Sequence, residues 1–209
     1  MSRSNLAYAR KNEYLTPEEY LEFEREAFEK HEYRNGEIIA LAGVSEKHNV
    51  IAGNLFGELF IRLKDSKCRP FTGDLRVKAV KAKKSNYYYP DIVITCGERI
   101  FEDDKKDVLL NPQVVIEVLS KSTKLKDRNE KLESYFALAS LNDYVLVEQD
   151  AMRIEHFSRI DEENWRLRLL NEKSDEIIFE KIGCRVSLDD VYNEIQFEET
   201  VRKIEKKKK

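Results

Sequence analysis

Val114-Val115-Ile116-Glu117-Val118-Leu119 is a short, nearly unbroken apolar run, the pattern of a central strand buried on both faces. Downstream, Asp127 to Ala139 carries Leu132, Phe136 and Ala139 on one helical face, and Tyr144 to Glu148 is again strand-like. A strand, a helix and a second strand in this order predict a right-handed crossover to a parallel pairing. The fold class expected is α/β, a mixed central sheet flanked by helices.

Upstream of this unit, Thr16-Pro17-Glu18-Glu19 combines a hydroxyl cap, a proline in the first turn and a glutamate three residues past the cap. It predicts a helix to about Phe28, burying Leu15, Tyr20, Phe23 and Ala27. Asn35-Gly36 between His31–Arg34 and Glu37–Leu41 predicts a two-residue hairpin. Ser45 caps a second helix to about Leu63, with Ile51, Leu55, Leu59 and Leu63 on one face, and Gly53 and Gly57 are spaced for close approach to a neighbour. Phe71 to Val80 and Tyr88 to Thr95 read as a second hairpin. Beyond Glu148, strands at Arg153–Ser158, Arg166–Leu170 and Ile177–Phe179 predict a short antiparallel meander, and Ser187 to Asp190 a helical turn.

The 209 residues fit a single domain spanning 1–200, and 41% hydrophobic content with ten Phe and ten Tyr excludes a disordered or collagen-like chain. No apolar run reaches the roughly 18 residues of a membrane span, and Met1 to Arg10 has no signal-peptide core, so a cytoplasmic location without membrane contact is expected. Cys68, Cys96 and Cys184 are widely spaced and odd in number, which predicts reduced core residues. The net charge is −3, yet Arg202, Lys203 and Lys206 to Lys209 against Glu205 make residues 201–209 a basic, frayed tail.

Pro90-Asp91-Ile92-Val93-Ile94 puts a carboxylate at the mouth of one apolar strand, and Glu117 lies inside another. Buried carboxylates are costly unless paired or metal-bound. Two of them on neighbouring strands suit either a structural ion-pair role or one hard cation, since Mg²⁺ commonly takes one or two protein carboxylates and fills its octahedron with water and phosphate. The chemistry served in the second case is phosphodiester hydrolysis.

The succession Glu32-Tyr33-Arg34-Asn35-Gly36-Glu37, His48, Pro90-Asp91, Glu117-Val118-Leu119-Ser120-Lys121-Ser122-Thr123, and Asp127-Arg128 with Lys131 and Tyr135 resembles the Uma-two family of restriction-endonuclease-like proteins. The resemblance spans about residues 14 to 160. It implies the PD-(D/E)xK nuclease superfamily and an αβββαβ core. It further implies Mg²⁺ or Mn²⁺ as cofactor, Glu32, Asp91 and Glu117 as metal ligands, and Asp91, Glu117 and Lys131 as the catalytic set. The motif lysine is replaced by Leu119, so the resemblance shifts that role to Lys131 on the following helix, with Lys121 at the strand end as second candidate.

His48 is a further candidate as a base or phosphate contact, and Asp74 as a fourth acidic residue, whereas His31 and His156 read as structural. Arg76, Lys78, Lys81, Lys83 and Lys84 beside Tyr87-Tyr88-Tyr89 form either a nucleic-acid track or a charged hairpin tip that guards a sheet edge. The function expected is a metal-dependent DNA endonuclease, the alternative a non-catalytic binding module of the same fold, and a homodimer is a possible assembly.

Overall fold

The computed structural model describes residues 14–120, 124 and 127–197. The first helix, α1 (Pro17–Glu26), starts on the expected reciprocal cap: Thr16 Oγ1 accepts from the Glu19 N–H and the Glu19 carboxylate accepts from the Thr16 N–H. It stops at Glu26, and Phe28 is exposed. Strands β1 (His31–Arg34) and β2 (Glu37–Ala40) pair through Asn35 and Gly36, both at positive φ as a tight two-residue turn requires. Helix α2 (Glu46–Arg62) turns Ile51, Leu55 and Leu59 inward. A Cβ at Gly53 or Gly57 would meet nothing within 4 Å, which corrects the expectation of a close neighbour there.

The segment read as one strand from Phe71 to Val80 is two, β3 (Cys68–Thr72) and β4 (Arg76–Lys81), broken at Gly73-Asp74. The segment from Tyr88 to Thr95 likewise divides at Tyr89-Pro90-Asp91 into β5 (Lys84–Tyr88) and β6 (Ile92–Cys96). The halves join different sheets. With β7 (Val108–Leu109), one sheet has the order β2-β1-β5-β4-β7. The other runs β11-β10-β9-β8-β6-β3, built from β8 (Val114–Leu119), β9 (Asp143–Glu148), β10 (Ile154–Arg159) and β11 (Trp165–Leu170). In it β8 and β9 are parallel and the remaining pairs antiparallel, so the crossover pairing stands and the sheet is mixed. Strands β12 (Glu176–Phe179) and β13 (Cys184–Ser187) form a separate antiparallel pair ahead of α4 (Leu188–Val191).

The crossover helix differs most from expectation. Over the contiguous described residues it is a π-helical turn, Asp127–Lys131, followed by a short α3 (Leu132–Phe136), leaving Ala139 exposed. Tyr144 anchors the turn by donating to the Asp127 carbonyl (3.0 Å), and Arg128 by gripping Glu155 with two nitrogens (2.9 and 3.1 Å).

Both faces of β8 are buried, against different neighbours. Val114, Ile116 and Val118 pack with α2, the β12–β13 pair and α4, while Val115 and Leu119 pack with Tyr135, Tyr144 and the five-stranded sheet's Val77, Ala79 and Tyr88. Beyond that sheet, α1 closes a third cluster on Tyr20, Tyr33 and Tyr87. Cys68 and Cys96 stand opposite each other in the β3–β6 register and are joined by a disulfide. This corrects the expectation of three reduced cysteines: a pair 28 residues apart meets through sheet register, which local spacing does not encode. Cys184 is free and buried. No helix among the described residues is long and apolar enough to cross a membrane. The basic run 201–209 lies outside the described residues, as do Lys121, Ser122 and Thr123.

Candidate active site

Asp91 stands where the chain leaves one sheet for the other, after Pro90 and immediately before β6. Its Oδ2 accepts the Val118 N–H of β8 (2.7 Å), and its Oδ1 lies 2.9 Å from His48 Nε2 of α2. Glu117 faces the opposite side of β8 from Val118, toward α3 and the five-stranded sheet. There its Oε1 accepts from Lys131 Nζ (3.0 Å) and the Tyr135 hydroxyl (3.3 Å).

Lys131 is almost wholly buried and is the hub of the cluster. Its ammonium also meets Glu32 Oε1 at 2.8 Å and Asp127 Oδ1 at 3.3 Å, and lies over the Tyr88 ring. Glu32 comes from β1, and its other oxygen accepts from Arg34 (2.6 Å), which reaches on to Glu130 (2.9 Å). The π-helical turn directs Asp127 and Lys131 inward together, and single turns of this type recur at functional sites. Three of the four sequence-derived candidates, Glu32, Glu117 and Lys131, thus share one buried ion cluster, and Asp91 adjoins it through the β8 backbone.

The charges in this cluster set each other's protonation. Burial pushes the Glu117 carboxyl well above the usual range, and Asp127, Asp91 and Glu32 add to that while Lys131 opposes it. Burial works against the Lys131 ammonium, but Glu117, Glu32 and Asp127 outweigh it and hold the group well above its ordinary value. Burial likewise disfavours ionised Glu32, yet Lys131 and Arg34 bring its carboxyl below the usual range. Lys131 and Glu32 are thus favoured in their charged forms, and Glu117 is shifted toward its neutral form.

A cleft of about 660 Å³ is lined by Asp91 and His48 together with Lys30, Asn49, Thr72 and Tyr89; Glu32, Glu117 and Lys131 are buried and do not line it. Among the described residues no three His, Cys, Asp or Glu side chains are arranged to hold an ion.

Asp74 does not join the carboxylates: it sits in the exposed turn after β3 and pairs with Lys30. In the lysine-rich stretch Arg76 pairs with Asp107, Lys78 with Glu102 and Lys81 with Glu133, while Lys83 and Lys84 are exposed. Tyr87 and Tyr88 are buried and cannot stack on bases, and the stretch forms the β4–β5 hairpin. Leu119, at the motif-lysine position, is 1% exposed among apolar neighbours, an environment that excludes an ammonium. Asp127 was legible only as a helix-start acid four residues before Lys131; its burial follows from the π turn, for which the sequence carries no signal.

Residues 17–188 match the Uma2 family, described as "Putative restriction endonuclease". "Uncharacterized protein sll1609" of Synechocystis sp. (strain ATCC 27184 / PCC 6803 / Kazusa) is 35% identical over 165 residues, covering 79% of this chain and 92% of the relative. "Uncharacterized protein slr1290" of the same organism is 35% identical over 185 residues, covering 88% and 94%. The crystal structure of "a putative nuclease belonging to DUF820" from Anabaena variabilis ATCC 29413 superposes with a TM-score of 0.69 at 19% identity, over 85% of this chain and 97% of that one. At that identity the likeness speaks for the fold. With the family match running from α1 to the start of α4 and two relatives aligned along nearly their whole length, the chain belongs to the Uma2 family.

Proposed function

We propose that the chain is a divalent-metal-dependent nuclease hydrolysing DNA phosphodiester bonds at Asp91, Glu117 and Lys131. The observation that carries this reading is the buried ammonium of Lys131 set among carboxylates, next to an aspartate that opens on a cleft. Apolar side chains of similar volume would often stabilise a core as well or better than a buried ion cluster does. Perturbed, mutually coupled charges beside a cleft are a signature of a working site. The family description points to the same chemistry.

The residues fit a hard divalent ion. Asp91 and Glu117 offer two carboxylates, the number Mg²⁺ commonly takes from a protein when waters and phosphate complete its shell. Glu32 belongs to the same ligand set only if it gives up Lys131 or Arg34, which engage its two oxygens. Bound Mg²⁺ or Mn²⁺ supplies Lewis-acid polarisation of the phosphoryl oxygen and a more acidic water. The chain's own part is positional: the Val118 N–H and His48 fix Asp91, while Glu32 and Asp127 fix Lys131, whose charge offsets charge growing on the phosphate.

The test is cleavage of linear, circular and single-stranded DNA with Mn²⁺. The expected result is cutting that EDTA abolishes and that Asp91→Ala removes while circular dichroism stays unchanged. Cutting that persists in the Asp91 variant counts against this site. DNA retention without cutting favours the second reading, a binding module of the same fold.

A further inference from the structure

His48 is the third residue of α2, where the Ser45 hydroxyl accepts its backbone N–H (3.2 Å) and itself donates to Gln149 (2.6 Å). The helix end therefore fixes where the imidazole points. The residue is 6% exposed, at the back of the cleft that Asp91 also lines. Its Nε2 lies 2.9 Å from Asp91 Oδ1, and an ionised carboxylate only accepts, so this nitrogen carries the proton. Nδ1 is buried and has no hydrogen-bond partner among the described residues. Among the described residues, the hydrogen bond of the ring is the one it makes to Asp91.

Asp91 is consequently held at both oxygens, by a side chain from α2 at Oδ1 and by the main chain of β8 at Oδ2. A carboxylate pinned twice cannot swing about its Cβ–Cγ bond, and each oxygen keeps a lone pair for another partner. We propose that His48 is a positioning residue that orients Asp91 for a divalent ion. The role rests on the metal-dependent reading above and adds to it the group that pre-organises the ligand. Hydrogen-bonding partners of ligating carboxylates typically change metal affinity or activity by about 10- to 100-fold when removed.

The experiment is Mn²⁺ titration of the full chain by calorimetry, with thermal unfolding of each variant recorded in parallel. His48→Phe fills the ring's space without a donor, and His48→Gln restores an N–H close to the place of Nε2–H. The expected result is Mn²⁺ affinity weakened about tenfold or more in His48→Phe and largely recovered in His48→Gln. If His48→Phe does not fold, His48→Ala takes its place in the same comparison. Wild-type affinity in the donor-free variant, with or without a lower unfolding temperature, makes the contact structural and overturns the proposal. Directly bonded ¹⁴N coupling in the electron spin echo spectrum of the wild-type Mn²⁺ complex also overturns it, because His48 is then a ligand. No Mn²⁺ binding by the wild type, or full affinity in Asp91→Asn, brings down the metal reading and this proposal together. Loss in Asp91→Asn with no loss in His48→Phe overturns the positioning role alone.

Discussion

Lys131 neutralises a pit that would otherwise hold Glu32, Glu117 and Asp127 facing one another, each almost fully buried. Removing it does two separable things. Lys131→Ala should cost about 3–5 kcal/mol of stability, the penalty for leaving buried charge without its partner, measured by urea denaturation. Among molecules that remain folded, single-turnover cleavage should fall about 10²- to 10³-fold, the loss of one stabilising group from a pre-organised site. A double-mutant cycle of Lys131→Met with Glu117→Gln separates the two effects: the double variant should be less destabilised than the sum of the singles by about 1–3 kcal/mol, since Glu117 no longer demands a cation. Additive losses would mean that the 3.0 Å contact contributes nothing of its own. Much of this residue-scale picture is legible in the sequence. Glu117 inside an apolar run and Asp91 at a strand mouth announce costly charges that need partners, and the family pattern nominates Lys131. The partner of Asp91 is not legible there, because His48 is 43 positions away and meets it only once α2 lies against the sheet.

Elements reach the site by ties that look incidental in sequence. Arg25 of α1 makes two parallel hydrogen bonds to Asp107 (both 2.9 Å) and a third to Asp103, and Arg76 of β4 converges on the same Asp107 from a buried position. Three separate segments, α1, β4 and the loop before β7, are thereby clamped together under the hairpin that carries Glu32. The Arg25 hydrogen bonds hold the Asp107 carboxyl below the usual range, against the opposing effect of burial. A carboxyl with a depressed folded-state pKa contributes stability above its unfolded value, about 3.9, and loses it as pH falls through the folded value. Asp107→Asn should therefore lower stability at pH 7 by about 1.5–3 kcal/mol, the worth of hydrogen bonds to charged groups. The gap to wild type should close as the pH is taken well below 4, as chemical denaturation at pH 7 and pH 3 would read; a gap independent of pH would assign the effect to packing. At this scale the sequence is a good guide to caps and stripes, as Thr16, Ser45 and Ile51-Leu55-Leu59 illustrate, and a poor one to breaks. Gly73-Asp74 and Pro90-Asp91 interrupt two apparent strands, and only the competition between two sheets for the same chain decides that those points become crossings.

Part of the positive charge among the described residues is paired internally: Arg25, Arg34, Arg76, Lys78, Lys81, Arg128 and Lys131 each face a carboxylate, whereas Lys83 and Lys84 are exposed at a hairpin tip. The chain carries −3 overall, whereas its last nine residues contain Arg202, Lys203 and Lys206 to Lys209 against a single Glu205. If DNA is the substrate, this basic run is one source of sequence-independent attraction, because affinity for a duplex scales with the phosphates neutralised and the counterions released. Replacing Lys206, Lys207, Lys208 and Lys209 together by serine should flatten the dependence of log K on log salt. The slope should change by up to about 0.9 for each phosphate that is no longer neutralised, so by at most about four, as fluorescence anisotropy between 50 and 200 mM salt would measure. Mn²⁺ affinity should not move, since the four lysines are not among the residues proposed to hold the ion. An unchanged slope would place the DNA-attracting charge elsewhere in the chain, on exposed cations such as Lys83 and Lys84 or on ion-paired ones that exchange their carboxylates for phosphates on binding.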